Sequence, residues 1–511
     1  MSGSLYNLGC VIQSPGDPEA IALIDASNRA AAKTYSYRQL EQWCDAVAAG
    51  LMARGLRASD RIAIASTNRG EYLAAFYGAM RAGFVPVPVN IKLPVEGIRY
   101  IIEDADAKLL LADSARMDLT HDIPCIPIDS GFFTAVDNAA PFPAVRPEPR
   151  QPAMFLYTSG STGKPKGVVL CHESHLWVLE KRRRAAGTQP QRVLVAAPLY
   201  HMNALSTTQA ALAQGDSVVL LPSFSVDGYI DAIGRYRCTT LTAVPTMIAL
   251  LLRNKDLLSN IDLSSVRNIR MGSAPVSRPL YTAARAQFPD AQIANVYGTT
   301  EAGPISFGPH PQDLETPQGA LGYAHPEVKV RLKGTDSSEA GQGVLEIKSP
   351  ALMNGYHKQP KLTRMALTTD GYYITGDVFR RDERGFYYFV GRADDMFVCG
   401  GENIYPSTVE KILERHPDVE QASVVPVPDE IKWQKPVAFV VAKHGAKVNE
   451  SILKEFALRN GPAYQHPRRI WFLDAFPLSG TNKVDRAALV RLAAREMEAA
   501  ASVRSKQEGI E

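Results

Sequence analysis

Leu156-Tyr157-Thr158-Ser159-Gly160-Ser161-Thr162-Gly163-Lys164-Pro165-Lys166-Gly167-Val168-Val169-Leu170 joins two apolar runs through a patch of hydroxyls, glycines and two lysines. Gly160 and Gly163 permit backbone conformations closed to other residues, so consecutive N–H groups can converge on one anion. Thr158, Ser159, Ser161 and Thr162 add hydroxyl donors, and Lys164 and Lys166 add charge. Such a segment suits phosphate, although on composition alone an ordinary Gly/Ser surface loop is an equal reading. It is not a Walker-type loop, because Pro165 stands where that motif needs Ser or Thr after Gly-Lys.

Outward from this loop, residues 36 to 300 alternate short apolar runs with longer amphipathic ones. Examples are 61–66, 71–83 and 84–90, then 193–199, 204–214, 217–222, 226–236, 239–245 and 266–275. That rhythm of strand, helix and strand, with strands apolar on both faces, predicts buried parallel-rich sheets covered by helices. Between about 319 and 390 short alternating strands with Gly and Asp turns predict a β-rich subdomain. Beyond Arg392 the pattern predicts helix 406–416, strands 421–427 and 436–443, helix 449–460, strand 468–473 and helix 484–499, with the last dozen residues frayed. The expected fold class is α/β: an N-terminal domain over 1–392 and a small α+β C-terminal domain over 393–511.

A chain of 511 residues is too long for one compact core. Its 45% apolar and 21% charged content is that of a soluble globular protein, and a net charge of +3 offers no nucleic-acid surface. Cys10, Cys44, Cys125, Cys171, Cys238 and Cys399 lie far apart without a C-x-x-C pair, which argues against a zinc site or a disulfide framework and favours a reducing, cytoplasmic setting. No secretory signal and no membrane-length apolar run is visible.

Thr158 to Gly167 resembles the phosphate-loop signature of the adenylate-forming superfamily: acyl- and aryl-CoA synthetases, peptide-synthetase adenylation domains and luciferases. Four further stretches match that family's motifs in its order. Tyr297-Gly298-Thr299-Thr300-Glu301 is similar to Y-G-x-T-E, Thr375-Gly376-Asp377 to T-G-D, and Gly391-Arg392-Ala393-Asp394-Asp395 to G-R-x-D-D. Pro477 to Arg486 resembles the segment of the catalytic lysine, with Lys483 in its place. Asn482 replaces the usual preceding glycine, and Asn is well suited to a left-handed backbone. Alone, each of these is an ordinary turn, and Glu301 reads as a solvated glutamate.

The resemblance implies a two-step reaction: a carboxylate attacks the α-phosphate of ATP to give an acyl-adenylate and pyrophosphate, then a thiol displaces AMP. It implies Lys483 between carboxylate and phosphate, Thr300 and Glu301 in catalysis, Mg²⁺ on Glu301, and Asp377 and Arg392 at the ribose. Ser273, Ala274, Pro275, Asn295, Tyr297, Gly298 and Thr299 are assigned to the nucleotide beside the phosphate loop. Asp394 is implied as the hinge of a mobile C-terminal domain. Gly400-Gly401-Glu402-Asn403-Ile404-Tyr405-Pro406 is similar to the GGENIYP of many acyl-CoA synthetases, with Gly400 and Gly401 beside the pantetheine of coenzyme A.

The acceptor is expected to be CoA, with a carrier protein as the alternative. Pro198 to Leu205 lacks the Asp that amino-acid-selecting relatives place there, and His201 takes the position of a gate residue, a buried structural histidine being the other reading. Met202, Asn203, Met271 and Val296 are expected to line the acyl pocket and favour an aryl, hydroxycinnamate-like or medium-chain acid. Arg270 would serve a dicarboxylate but is expected to point away from the pocket. Lys181-Arg182-Arg183-Arg184 is expected to be a solvated helix face rather than a CoA phosphate site, and Cys399 a packing residue. The small-molecule partners are thus a carboxylic acid and CoA; a homodimer is left open.

Overall fold

The computed structural model describes residues 5–12, 16–120, 122–129, 140–158, 164–183, 189–334, 341–399, 402–429, 432–480 and 482–508, with backbone alone at 403, 433 and 499–508. Ser159, Gly160, Ser161, Thr162, Gly163, Arg184, Gly400 and Gly401 lie outside the described residues.

Two parallel sheets dominate. One has seven strands in the order Gln292–Val296, Asn268–Gly272, Thr240–Ala243, Arg192–Val195, Ser217–Leu220, Ile21–Asp25 and Lys33–Ser36, every pair parallel except the last. The other has four parallel strands in the order Val85–Pro88, Arg61–Ala65, Ala107–Ala112 and Cys125–Pro127. The two-residue period of a strand divides the large sheet between two cores. Leu23, Val193, Val195, Val218 and Leu220 face one core with Leu205 and Leu212 of the Met202–Ala213 helix. Ile24, Leu194, Val219, Leu241, Ile269 and Met271 face the other with Tyr229 and Met247.

The helix Gly70–Arg81 is buried along its whole length. Its single cation, Arg81, is fully buried and meets Glu41 at 2.8 Å and Asp45 at 2.5 Å, the pairing a charge needs once water is gone.

The phosphate-loop strand Pro152–Thr158 turns back antiparallel onto Lys166–Cys171, which in turn pairs with Gly355–Tyr356. The β-rich part is an antiparallel sheet in the order Lys329–Lys333, Gln342–Lys348, Tyr373–Arg381 and Tyr387–Arg392. After Arg392 the strands Val419–Asp429 and Trp433–Ala442 form a sheet with Ile470–Phe472, Phe397–Cys399 and Glu402–Ile404. Val424 and Val440 pack toward Leu413 and Leu453, while Val425 and Phe439 pack toward Leu489 and Ala493. Cys399 is a buried member of the first of these cores.

The α/β architecture expected from the sequence is present, with two differences. Strands Ile21–Asp25 and Lys33–Ser36 extend the large sheet before residue 36. The terminal helix continues to Glu508 instead of fraying, in a segment rich in Ala, Arg and Glu with no Gly or Pro before Gly509. All six cysteines are free. Among the described residues, no helix is long and apolar enough to cross a membrane.

Candidate active site

The Asn295–Gly303 segment leaves the carboxyl end of Gln292–Val296 and closes a tight turn, with the Thr299 N–H donating to the Gly303 carbonyl and the Ala302 N–H to Thr299 Oγ1. A Cβ on Gly298 would stand 2.6 Å from Pro304 Cα and 2.8 Å from the Gly303 oxygen, so only glycine fits. The turn presents Glu301, which is buried, with Thr300 beside it partly exposed. The Tyr356 hydroxyl donates to Glu301 Oε1 at 3.1 Å, and Lys166 Nζ donates to the same hydroxyl at 2.9 Å. Lys166 Nζ lies 3.7 Å from Glu301 Oε1. The far end of the phosphate loop and the Y-G-x-T-E turn are therefore joined through one tyrosine.

Thr158 ends the preceding strand with its hydroxyl buried and without a partner among the described residues. Lys164 is exposed, its ammonium 5.5 Å from the Tyr100 ring centre.

Asp377 is buried on the Tyr373–Arg381 strand. Burial raises its pKa, opposed by a hydrogen bond from the Tyr297 hydroxyl and by the guanidinium of Arg392. Arg392 Nη1 donates to Asp377 Oδ1 at 3.0 Å, while Nε and Nη2 clasp Asp394 at 2.8 and 3.0 Å, a fork that holds the Asp394 carboxyl below its ordinary pKa. Asp377, Arg392, Asp394 and Tyr297 thus form one cluster.

Lys483 reaches this cluster from the C-terminal part. Burial lowers its pKa, Asp377 works against that, and Arg392 adds to it. Its backbone is fixed by a turn in which the Ser479 N–H donates to the Lys483 carbonyl and Asn482 adopts φ +59°. The left-handed position inferred for Asn482 is therefore present. Gly480 lies against Lys92, and Arg253 pairs with Glu420 while donating to the Asp474 carbonyl, so the two parts meet on both sides of the turn.

His201 caps the Met202–Ala213 helix with Nε2 buried and unpartnered. Burial, with Lys483 and Lys92 assisting, pushes its pKa down to about 3, so the ring is neutral at physiological pH. Ser273, exposed, takes φ +67° at the end of Asn268–Gly272, with Ala274 and Pro275 following. Asn295 stands opposite Met271 in the register of the neighbouring strand.

Two expectations about residues near the acid differ from the structure. Met271 packs with Ile269 in the core on the sheet face away from the Met202–Ala213 helix. Arg270 and Gly272 share the other face, and that face looks toward the Met202–Ala213 helix, because a Cβ on Gly272 would stand 2.8 Å from Val296 Cγ2 and 4.0 Å from Asn203 Nδ2. Arg270 therefore turns toward Asn203 and Val296, not away. Met202 is buried in the core that its helix shares with the large sheet. Lys181 pairs with Glu180 and Glu327 and Arg183 is exposed, as a solvated face requires, but Arg182 turns inward to Ser206.

Among the described residues no three His, Cys, Asp or Glu side chains gather as a metal site. Glu301, a buried carboxylate beside Lys166, fits a Mg²⁺ ion that takes its other ligands from phosphate and water, not an all-protein cage.

A profile of the family described as AMP-binding enzyme matches residues 12–357, and its C-terminal domain profile matches residues 408–483. The chain belongs to the AMP-binding enzyme family. Within that family it is 29% identical to a 4-coumarate–CoA ligase of Nicotiana tabacum, over 91% of this chain and 90% of the relative. It is 32% identical to a sulfoacetate–CoA ligase of Cupriavidus necator, over 86% and 88%. Among solved structures, ATP-bound MatB from Rhodopseudomonas palustris superposes with a TM-score of 0.85 at 27% identity, covering 95% of this chain and 98% of that one. The chain is thus an AMP-binding enzyme of the acyl-CoA synthetase type, with the family's N- and C-terminal domains.

Tyr356 is the residue of this cluster that sequence reasoning missed, and Arg182 is one that it read as solvated. Tyr356 acts across the sheet from the loop it serves, and no local motif marks it.

Proposed function

We propose that this enzyme joins a carboxylic acid to CoA in two steps, forming an acyl-adenylate and pyrophosphate from ATP and then a thioester and AMP. The carrying observation is that Lys483 is brought from the C-terminal part close enough to Asp377 and Arg392 for their charges to act on its ammonium. In this reading Asp377 and Arg392 hold the ribose, and the 158–166 segment and Lys166 hold the β- and γ-phosphates. The Lys483 ammonium stands between the incoming carboxylate oxygen and the α-phosphate, where it offsets the repulsion of two anions as the P–O bond to pyrophosphate breaks. Glu301 would hold Mg²⁺ against the phosphates, and Mg²⁺ when bound supplies further neutralisation of the polyphosphate.

The domain division at 392/393 makes Asp394 the hinge. Rotation there withdraws Lys483 and brings the Gly400-Gly401 segment to the thiol path. His201, neutral, closes the acid side without competing for a proton. The acid itself lies between the Met202–Ala213 helix and the ends of Asn268–Gly272 and Gln292–Val296. Relatives named for 4-coumarate and for sulfoacetate bracket the class, an aryl acid at one end and a short acid with a second anion at the other.

The test is incubation with ATP, CoA and a panel of acids, reading AMP, pyrophosphate and thioester. Release of ADP sinks the proposal, and pyrophosphate exchange without a CoA product moves the acceptor to a carrier protein. Lys483→Ala is expected to slow adenylation by on the order of 10²–10³ in single-turnover measurements; an unchanged rate removes its assigned role.

A further inference from the structure

Two cations held within this fold show what a guanidinium removed from water can be given, a carboxylate within hydrogen-bond reach. Arg81 has Glu41 and Asp45, and Arg486 has Glu410. Arg182 and Arg270 are half-buried, and no carboxylate among the described residues pairs with either. The hydrogen bonds of Arg182 among those residues run from Nη1 to the Ser206 carbonyl at 3.2 Å and to Ser206 Oγ at 3.4 Å. The two guanidiniums are near enough that Arg270, after burial, adds to the lowering of Arg182 to about 9. Two like charges held together without a counter-ion cost stability.

Their placement is specific. Arg182 arrives from the end of the His172–Lys181 helix and Arg270 from the Asn268–Gly272 strand. Both converge on the side of the Met202–Ala213 helix that carries Asn203 and Ser206, one turn apart. Near Arg182, His175 is buried, and burial drops its pKa to about 4, so it is neutral and supplies no counter-charge. The strand that carries Arg270 runs on to Ser273 at the nucleotide, on the order of 10 Å away, a gap that a few carbon atoms plus the arginine's own length span.

We propose that Arg182 and Arg270 receive a second anionic group on the acid, so that the preferred substrate is a short acid with a carboxylate at the reacting end and a carboxylate or sulfonate at the other. This rests on the acid–CoA ligase reading and adds the substrate class. Arg270 is the nearer specificity residue and Arg182 its reinforcement. A neutral aryl or alkyl tail would leave both guanidiniums uncompensated, whereas a distal anion supplies the counter-ion that none of the described residues provides.

The experiment compares matched acids with ATP and CoA: three- to five-carbon dicarboxylic acids against their monomethyl esters, a sulfonated short acid against the unsulfonated one, and 4-hydroxycinnamate. At least one dianionic acid is expected to exceed its neutral partner in kcat/KM by on the order of 10², and the better of the carboxylate and sulfonate arms identifies the group. Arg270→Gln is expected to lose that preference while raising kcat/KM for the neutral partner, with ATP binding retained as proof of folding. Arg182→Gln is expected to act in the same direction. Neutral acids used as well as the dianions, or a preference that survives Arg270→Gln, overturns the inference and leaves the ligase reading intact. No AMP with any acid overturns the ligase reading, and the inference with it.

Discussion

Tyr356 carries a hydroxyl that accepts from the Lys166 ammonium and donates to the Glu301 carboxylate, so the lysine proposed for phosphate and the carboxylate proposed for Mg²⁺ are bound to each other through it. Hydrogen bonds to charged groups contribute about 1.5–3 kcal/mol. Tyr356→Phe is therefore expected to weaken ATP use about tenfold or more in KM at little cost to thermal stability; an unchanged KM for ATP would show that the bridge is idle. Glu301, Asp377, Arg392 and Lys483 were legible because each sits in a short motif whose neighbours set its backbone. Tyr356 was not, since its role depends on the pairing of Gly355–Tyr356 with Lys166–Cys171, from which it is distant in sequence. Arg182 was misread for a related reason: a run of four cations at a helix end looks solvated, and only the position of Ser206 shows which one turns in.

The 479–484 turn carries Lys483, on which the proposed chemistry depends. Its ends are linked by the Leu478–Val484 bridge, and Asn482 takes the left-handed conformation that the turn requires. A β-branched residue there pays roughly 1–2 kcal/mol in steric strain. Asn482→Val is expected to slow adenylation at least tenfold while the isolated thioester step, started from acyl-adenylate, keeps its rate; Asn482→Gly is expected to remain near wild type. Equal slowing of both steps would assign the damage to folding. Strands with apolar residues on both faces announced the parallel sheets. The strand Lys33–Ser36 did not, being a short, largely exposed edge. The facing of Met271 and Arg270 was a one-residue matter of register, which alternation alone leaves open until the neighbouring helix is placed.

For the molecule as a whole, acid sensitivity follows from buried histidines. His172 accepts a hydrogen bond from the Leu8 N–H at Nδ1, and burial lowers both it and His175 to about 4. The folded pKa lies below the unfolded value near 6.5, so the unfolded chain binds the extra proton first. The stability from the neutral rings is fully present above about pH 6.5 and is lost as pH falls toward 4, about 3 kcal/mol for each at the acid limit. Urea midpoints are expected to fall across that window, and His175→Gln to flatten the slope; a midpoint constant from pH 7 to 4.5 contradicts this.

The Arg253–Glu420 pair joins a helix of the large N-terminal part to the sheet that follows Arg392, and involves neither Arg270 nor Glu301. An exposed clasp of this kind is weakened by counter-ions. Under the proposed mechanism, selecting an acid and bringing up the lysine are separately adjustable traits: salt or a substitution at the clasp would alter how often the lysine arrives, while the menu of acids would stay written in the strand that carries Arg270. An engineer could retune one without relearning the other.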